Sequence, residues 1–150
     1  MKKLLSAAII AMATPVFAEC DFDRQVEVLA LNIYHEARGE SIDGMIMIAE
    51  VTLNRVNHSR YPNNICSVVY QRSQFSWTHT IQNHTPNDTK SWELAQELAE
   101  GILSGEIDTL GTRATHFLNP NRVSRIPSWT NSFEMVGRVG NHVFYEKPNV

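Results

Sequence analysis

No Cys-x-x-Cys pair, glycine-rich phosphate loop or Gly-x-Ser-x-Gly turn occurs in the 150 residues. The usual signs of a zinc ribbon, a nucleotide-binding loop or a serine hydrolase are therefore missing. His35-Glu36 starts like the helix of a zinc protease, but Gly39 stands where the second histidine is needed. The six histidines, at 35, 58, 79, 84, 116 and 142, share no ligand spacing on one element. His79 and His84 fall in a polar stretch and read as solvated, so no metal or cofactor is expected. Basic clusters are also missing: 13 Lys and Arg stand against 16 Asp and Glu, a formal charge of −3. This argues against nucleic acid or an anionic membrane surface as the main partner. Past residue 18 no apolar run is long enough to cross a bilayer. Repeats, low-complexity tracts and linkers are not found.

What is present begins with the N-terminus. Lys2 and Lys3 precede an apolar run over residues 4 to 12, followed by Pro15-Val16-Phe17-Ala18. A charged start, a short apolar stretch and a small residue predict a secretory signal peptide over residues 1 to 18, cut after Ala18. Glu19 before Cys20 does not fit a lipoprotein site. The expected product is one domain, residues 19 to 150, exported to the periplasm or outside the cell. Loss of Lys2 and Lys3 takes its formal charge from −3 to −5. In an oxidising compartment Cys20 and Cys66, the two cysteines, are expected to form a disulfide. The sharper alternative, a catalytic thiol at Cys66, has no cationic neighbour in sequence to support it.

The pattern predicts a first helix over about residues 23 to 38. Val26, Leu29, Ala30, Ile33 and Ala37 share its inner face, with His35 on the opposite, wet side. Glu36 falls at the edge of the apolar stripe, beside Leu29, just before Gly39 ends the helix. Partial desolvation at such a boundary raises a carboxyl pKa and keeps the group protonated near neutrality. The plainer alternative is an ordinary helix-surface acid. A second helix is expected over about residues 45 to 57, capped by Asp43 and apolar almost all round. Its polar stripe of Glu50, Asn54 and Asn57 either lines a wet cleft or forms an internal network.

Residues 64 to 70 read as a short helix, and residues 71 to 88 as a long irregular loop carrying Phe75 and Trp77. A third long helix is expected over about residues 90 to 103, weakened by Gly101 and ended by Ser104-Gly105. Residues 114 to 118 and 142 to 146 read as short strands. The fold class is α+β, mainly helical, with a small sheet at the end.

Taken together, Tyr34-His35-Glu36-Ala37-Arg38-Gly39-Glu40, Asp43-Gly44 and Leu53-Asn54-Arg55-Val56 resemble the cell-wall hydrolases related to the spore cortex-lytic enzyme of bacilli. Tyr61-Pro62-Asn63, Val68-Val69-Tyr70, Gln74-Phe75-Ser76, Ala114-Thr115-His116-Phe117 and Gly140-Asn141-His142-Val143-Phe144-Tyr145 fit the same pattern. The resemblance spans about residues 26 to 146. It implies a compact lysozyme-like, lytic-transglycosylase-like fold with a small antiparallel sheet. It further implies cleavage of the β-1,4 link between N-acetylmuramic acid and N-acetylglucosamine in peptidoglycan glycan strands, with the general acid at Glu36. Two departures are Glu50, where relatives often carry a small apolar residue, and the lack of a peptidoglycan-binding repeat in these residues.

The chemistry agrees with that resemblance. Glycosidases usually need two carboxylates, whereas transglycosylation needs one, which first gives and then takes a proton. Glu40, the only other acid close in sequence, is expected to turn away and pair with Arg38 or Arg55. Candidate substrate contacts are Arg38, Glu40, Asn54, Gln74, Phe75, Trp77, His116 and Phe117, with Trp129 beside them. Three readings stay open: a hydrolytic muramidase using Glu40 or Glu50, a cell-wall amidase or peptidase, and a glycan-binding module without turnover. A monomer is the expected working form.

Overall fold

The computed structural model describes residues 19–148. The expected signal peptide lies outside those residues. Helices come first: α1 Phe22–Ala37, α2 Ile42–Val56, α3 Ile65–Val69, α4 Trp77–Thr80 and α5 Thr89–Ser104. Strands β1 His116–Leu118, β2 Glu134–Val139 and β3 His142–Glu146 follow, with a 3-10 turn at Ser128–Asn131. The sheet is antiparallel in the order β1-β3-β2, and Phe117 pairs with Phe144.

Each long helix starts on a side-chain cap. Asp21 accepts the Arg24 N–H at 2.9 Å, and Ser41, rather than the expected Asp43, accepts the Gly44 N–H at 3.2 Å. Asp88 accepts the Ser91 N–H at 3.1 Å to open α5. The expected weak point at Gly101 has a packing reason. A Cβ there would lie 2.5 Å from Ile107 Cδ1, so only glycine lets the chain after α5 fold back over the helix.

Helix α1 packs against α2, α3 and α5, and their apolar faces form the core with Tyr34, Phe75 and Phe144 fully buried. The Tyr34 hydroxyl donates to Asn87 Oδ1 at 3.0 Å and accepts the Asn87 and Asp88 N–H groups, both at 3.2 Å. One buried phenol thus fixes the approach to α5. A disulfide joins Cys20 to Cys66, tying the segment before α1 to α3.

The polar stripe of α2 forms an internal network. Glu50 is 2% exposed; its carboxylate accepts the Leu110 N–H at 2.9 Å and the Thr112 N–H. Asn54 donates to the Thr112 and Ala114 carbonyls at 3.0 and 2.9 Å, and Arg55 Nε donates to the Thr115 carbonyl at 2.8 Å. The helix therefore grips residues 110 to 115 and delivers them to the sheet. This also explains why β1 begins at His116 rather than at 114: α2 side chains take the Ala114 and Thr115 carbonyls.

Strand β2 carries no sequence signal of its own. It is an edge strand, Gly137 interrupts it, and a bulge between Met135 and Gly137 breaks its alternation. Gly140, at φ 57°, turns it into β3, and a Cβ there would collide with the Glu40 carboxylate.

Replacing Glu50 by alanine leaves two backbone N–H groups without their acceptor, so a loss of about 2 to 4 kcal/mol in urea unfolding is expected. Removing the disulfide, which closes a separation of 46 residues, is expected to cost about 4 kcal/mol by the loop-closure relation. Calorimetry of the Cys20→Ala/Cys66→Ala protein measures that loss.

Candidate active site

Helix α1 ends at Ala37, whose side chain is anchored in the core, and this puts the neighbouring Glu36 at the wall of a groove rather than in solvent. Two cavities meet at Glu36. One, of about 550 Å³, also touches His35, Arg38, Glu40, Trp77, Arg122 and His142. The other, of about 380 Å³, also touches Arg55, Gln74 and His116. Ser76, Phe117 and Trp129 line both. A chain molecule laid across the two would pass Glu36 near its middle.

Burial pushes the Glu36 carboxyl up to about 7, against the pull of Arg55 and Arg122. The carbonyl end of α1 acts in the same upward direction, because a helix C-terminus carries partial negative charge. Among the described residues Glu36 makes no hydrogen bond or ion pair. Its oxygens are unpaired, and a carboxyl raised to about 7 keeps its proton on a large share of the molecules near neutral pH.

The walls are held by a buried chain of hydrogen bonds. Trp77 Nε1 donates to Asn32 Oδ1 at 2.9 Å, and Asn32 Nδ2 donates to Thr52 Oγ1 at 3.1 Å. His35 stacks on Trp77 with centroids 4.6 Å apart and planes 21° apart. Its Nε2–H donates to the His84 carbonyl at 3.1 Å, since a carbonyl only accepts. His35 is thus half-buried on the groove side, not on the expected wet face; the loop that returns over α1 covers it. Burial lowers its pKa.

On the sheet side burial, with Arg55 and Lys147, pushes His116 down to about 4, so it is neutral at pH 7. Thr115 Oγ1 lies 3.0 Å from His116 Nδ1 and accepts the Lys147 N–H at 3.2 Å. The buried hydroxyl keeps a partner for its own proton only by donating to Nδ1, which places the His116 proton on Nε2.

Glu40 lines the larger cavity, but its partner is not the expected Arg38 or Arg55. It accepts the Asn141 side-chain amide at 2.9 Å and the Asn141 N–H at 3.2 Å. The tight Gly140 turn presents Asn141 to it across the chain. Those bonds hold its carboxyl below the usual range, so it stays ionised. The other acid considered as a second carboxylate, Glu50, is sealed under residues 110 to 112.

Of the residues singled out from the sequence, Glu36, Arg38, Glu40, Gln74, Trp77, His116 and Phe117 come together, with Trp129. Two do not. Asn54 is engaged by the Thr112 and Ala114 carbonyls and faces a separate recess of about 620 Å³ that shares no residue with the Glu36 cavities. Phe75 is 1% exposed, a core ring 5.0 Å beneath the Arg55 guanidinium. Sequence reasoning misses Arg55, Arg122 and His142 as lining residues. Arg55 has a signal, the one cation in a helix that is mostly apolar; Arg122 has none. Among the described residues no three His, Cys, Asp or Glu side chains are grouped to hold a metal ion.

The raised carboxyl gives a stability test. Below pH 4.5, the ordinary value, Glu36 is protonated in folded and unfolded chains alike. As pH rises through about 7 the folded state loses that advantage, by up to about 3 kcal/mol. Unfolding of the wild type and of Glu36→Gln, compared from pH 4 to 8, should show the wild type losing ground across this window and not above it.

Residues 39–145 match the family model described as Cell Wall Hydrolase. The match starts three residues after Glu36. The spore cortex-lytic enzyme of Halalkalibacterium halodurans is 30% identical over 123 residues, 81% of this chain and 34% of that protein. That of Bacillus subtilis is 29% identical over 125 residues, 83% of this chain and 38% of that protein. The chain thus spans little more than a third of the length of these relatives. Among solved structures, the catalytic domain of the germination-specific lytic transglycosylase SleB from Bacillus anthracis superposes with a TM-score of 0.65 at 24% identity, covering 81% of this chain and 93% of that one. The catalytic domain of Bacillus cereus SleB gives 0.64 at 21% identity, covering 81% and 89%. The two structures share this fold, and the family match extends over most of the sequence: the chain belongs to the cell wall hydrolase family.

Proposed function

We propose that this protein is an exported peptidoglycan-degrading enzyme that cleaves the β-1,4 bond between N-acetylmuramic acid and N-acetylglucosamine as a lytic transglycosylase. The observation that carries the reading is Glu36: a carboxyl protonated near neutrality, with free oxygens, where two cavities join. Family membership and the names of the relatives support the same substrate. The Cys20–Cys66 disulfide supports export, because such bonds persist outside the reducing cytosol.

In this mechanism a glycan strand lies along the groove with the scissile bond over Glu36. Glu36 gives its proton to the bridging oxygen as the C–O bond breaks and the electron pair stays on that oxygen. The carboxylate then takes the proton of the muramic C6 hydroxyl, whose oxygen attacks the anomeric carbon and closes a 1,6-anhydro ring. No water is consumed, and Glu36 returns to its protonated state. Phe117 and Trp129 offer ring faces to the sugars, while Arg38, Gln74 and His116 offer donors to their hydroxyl and acetamide groups.

The hydrolytic alternative needs a second carboxylate, and Glu40 is the remaining candidate, although Asn141 occupies it. A cysteine peptidase is disfavoured because Cys66 is bonded to Cys20.

Mass spectrometry of digested sacculi separates the first two: anhydro ends mean transglycosylation, reducing ends mean hydrolysis. Glu36→Gln should lose at least three decades of turnover with the fold intact; near wild-type turnover would refute the reading. In the wild type kcat/KM should fall as pH rises above about 7, where the acid loses its proton.

A further inference from the structure

Arg55 is 4% exposed and held on three sides. Its guanidinium carbon lies 5.0 Å from the Phe75 ring centre and 5.5 Å from that of Tyr61, while Nε is fixed to the Thr115 carbonyl at 2.8 Å. Its Nη1 is buried and has no hydrogen-bond partner. A buried guanidinium nitrogen left unbonded is unfavourable, and this one belongs to a side chain lining the 380 Å³ cavity together with Glu36. The set of interactions that fixes Arg55 leaves it little freedom to move elsewhere.

We propose that Arg55 is a positioning residue whose unpartnered Nη1 receives the Glu36 carboxylate once the proton has passed to the leaving sugar oxygen. This rests on the transglycosylase reading and assigns the structure behind its second step. In the resting state Glu36 is protonated and makes no ion pair, because burial outweighs the pull of the cation. After proton delivery the new carboxylate gains a charge-assisted hydrogen bond. That bond holds it beside the sugar until it accepts the C6 hydroxyl proton, and the pair separates as Glu36 becomes neutral again. A cation bonded to Glu36 throughout would have lowered its pKa and weakened the acid. The other titratable or charged groups lining the cavities with Glu36 are His35, Arg38, Glu40, His116, Arg122 and His142. Of these only His142 is also buried among rings, against Phe117 and Phe144, but its Nδ1 lies 3.9 Å from Glu40 and it does not line the 380 Å³ cavity.

The test needs no substrate at first. The side-chain Nε–H resonance of Arg55, followed by ¹⁵N NMR from pH 5 to 9, should move with a midpoint near 7 in the wild type and lose that step in Glu36→Gln. A resonance that titrates identically in both proteins, or in neither, overturns the proposal. Turnover on sacculi gives the second arm. Arg55→Met, neutral and similar in length, should lower kcat at least tenfold with KM within about twofold, and Arg55→Lys should keep at least threefold more kcat than Arg55→Met. Equal kcat in the two variants, or wild-type kcat in a folded Arg55→Met, overturns it. Should Arg55→Met fail to fold, the resonance measurement decides alone. Failure of the transglycosylase reading itself would appear separately, as turnover retained by Glu36→Gln.

Discussion

The chemistry proposed for this molecule depends on one desolvated carboxyl. Glu36 has lost enough water to stay protonated near pH 7, yet it has gained no hydrogen bond in exchange. Ordinarily a folded protein would remove such a group or pair it. Here the pairing is withheld although two cations, Arg55 and Arg122, are near enough to pull on it. The balance between burial and those cations sets the acid's strength. More burial would make it a weaker acid, and a direct ion pair would leave it ionised.

The scaffold that maintains this balance runs through α2. Glu50, Asn54 and Arg55 hold successive backbone groups of residues 110 to 115, and that segment leads into β1, where His116 and Phe117 face the groove. The far wall is set by the Trp77–Asn32–Thr52 chain, which joins the α4 turn to α1 and α2. The Gly140 hairpin closes the end by placing Asn141 on Glu40. Buried polar groups thus hold the walls, with the Tyr34 hydroxyl and the Trp77 indole N–H among them.

Much of this is legible in the sequence, for identifiable reasons. The amphipathic period of α1 locates Glu36 at the margin of its apolar stripe, and Gly39, at φ 86°, marks its end. The expectation of an oxidising compartment pairs Cys20 with Cys66, and the structure holds that disulfide. What periodicity leaves ambiguous is the direction in which a polar residue faces when several elements surround it. The stripe of Glu50 and Asn54 has two readings, and only the path of residues 110 to 115 decides between them. His35 reads as solvent-facing on α1 alone, because the covering loop from Trp77 to His84 has no pattern that announces where it lies. Strand β2 is invisible for a related reason: an edge strand with a bulge and a glycine keeps no alternation. Phe75 and Trp77, two residues apart, are both buried, yet only Trp77, at the start of α4, also lines the groove, a distinction that side-chain type does not carry.

The most direct measurement of the central claim is a crystal structure of the Glu36→Gln protein with a peptidoglycan glycan fragment bound. The account predicts sugar rings on both sides of position 36, with the bridging oxygen within hydrogen-bonding reach of the substituted side-chain amide, about 3 Å, and Arg55 Nη1 on the opposite side of that amide. A fragment bound in the recess beside Asn54 and His58, or in the groove with its glycosidic oxygen far from position 36, would contradict it.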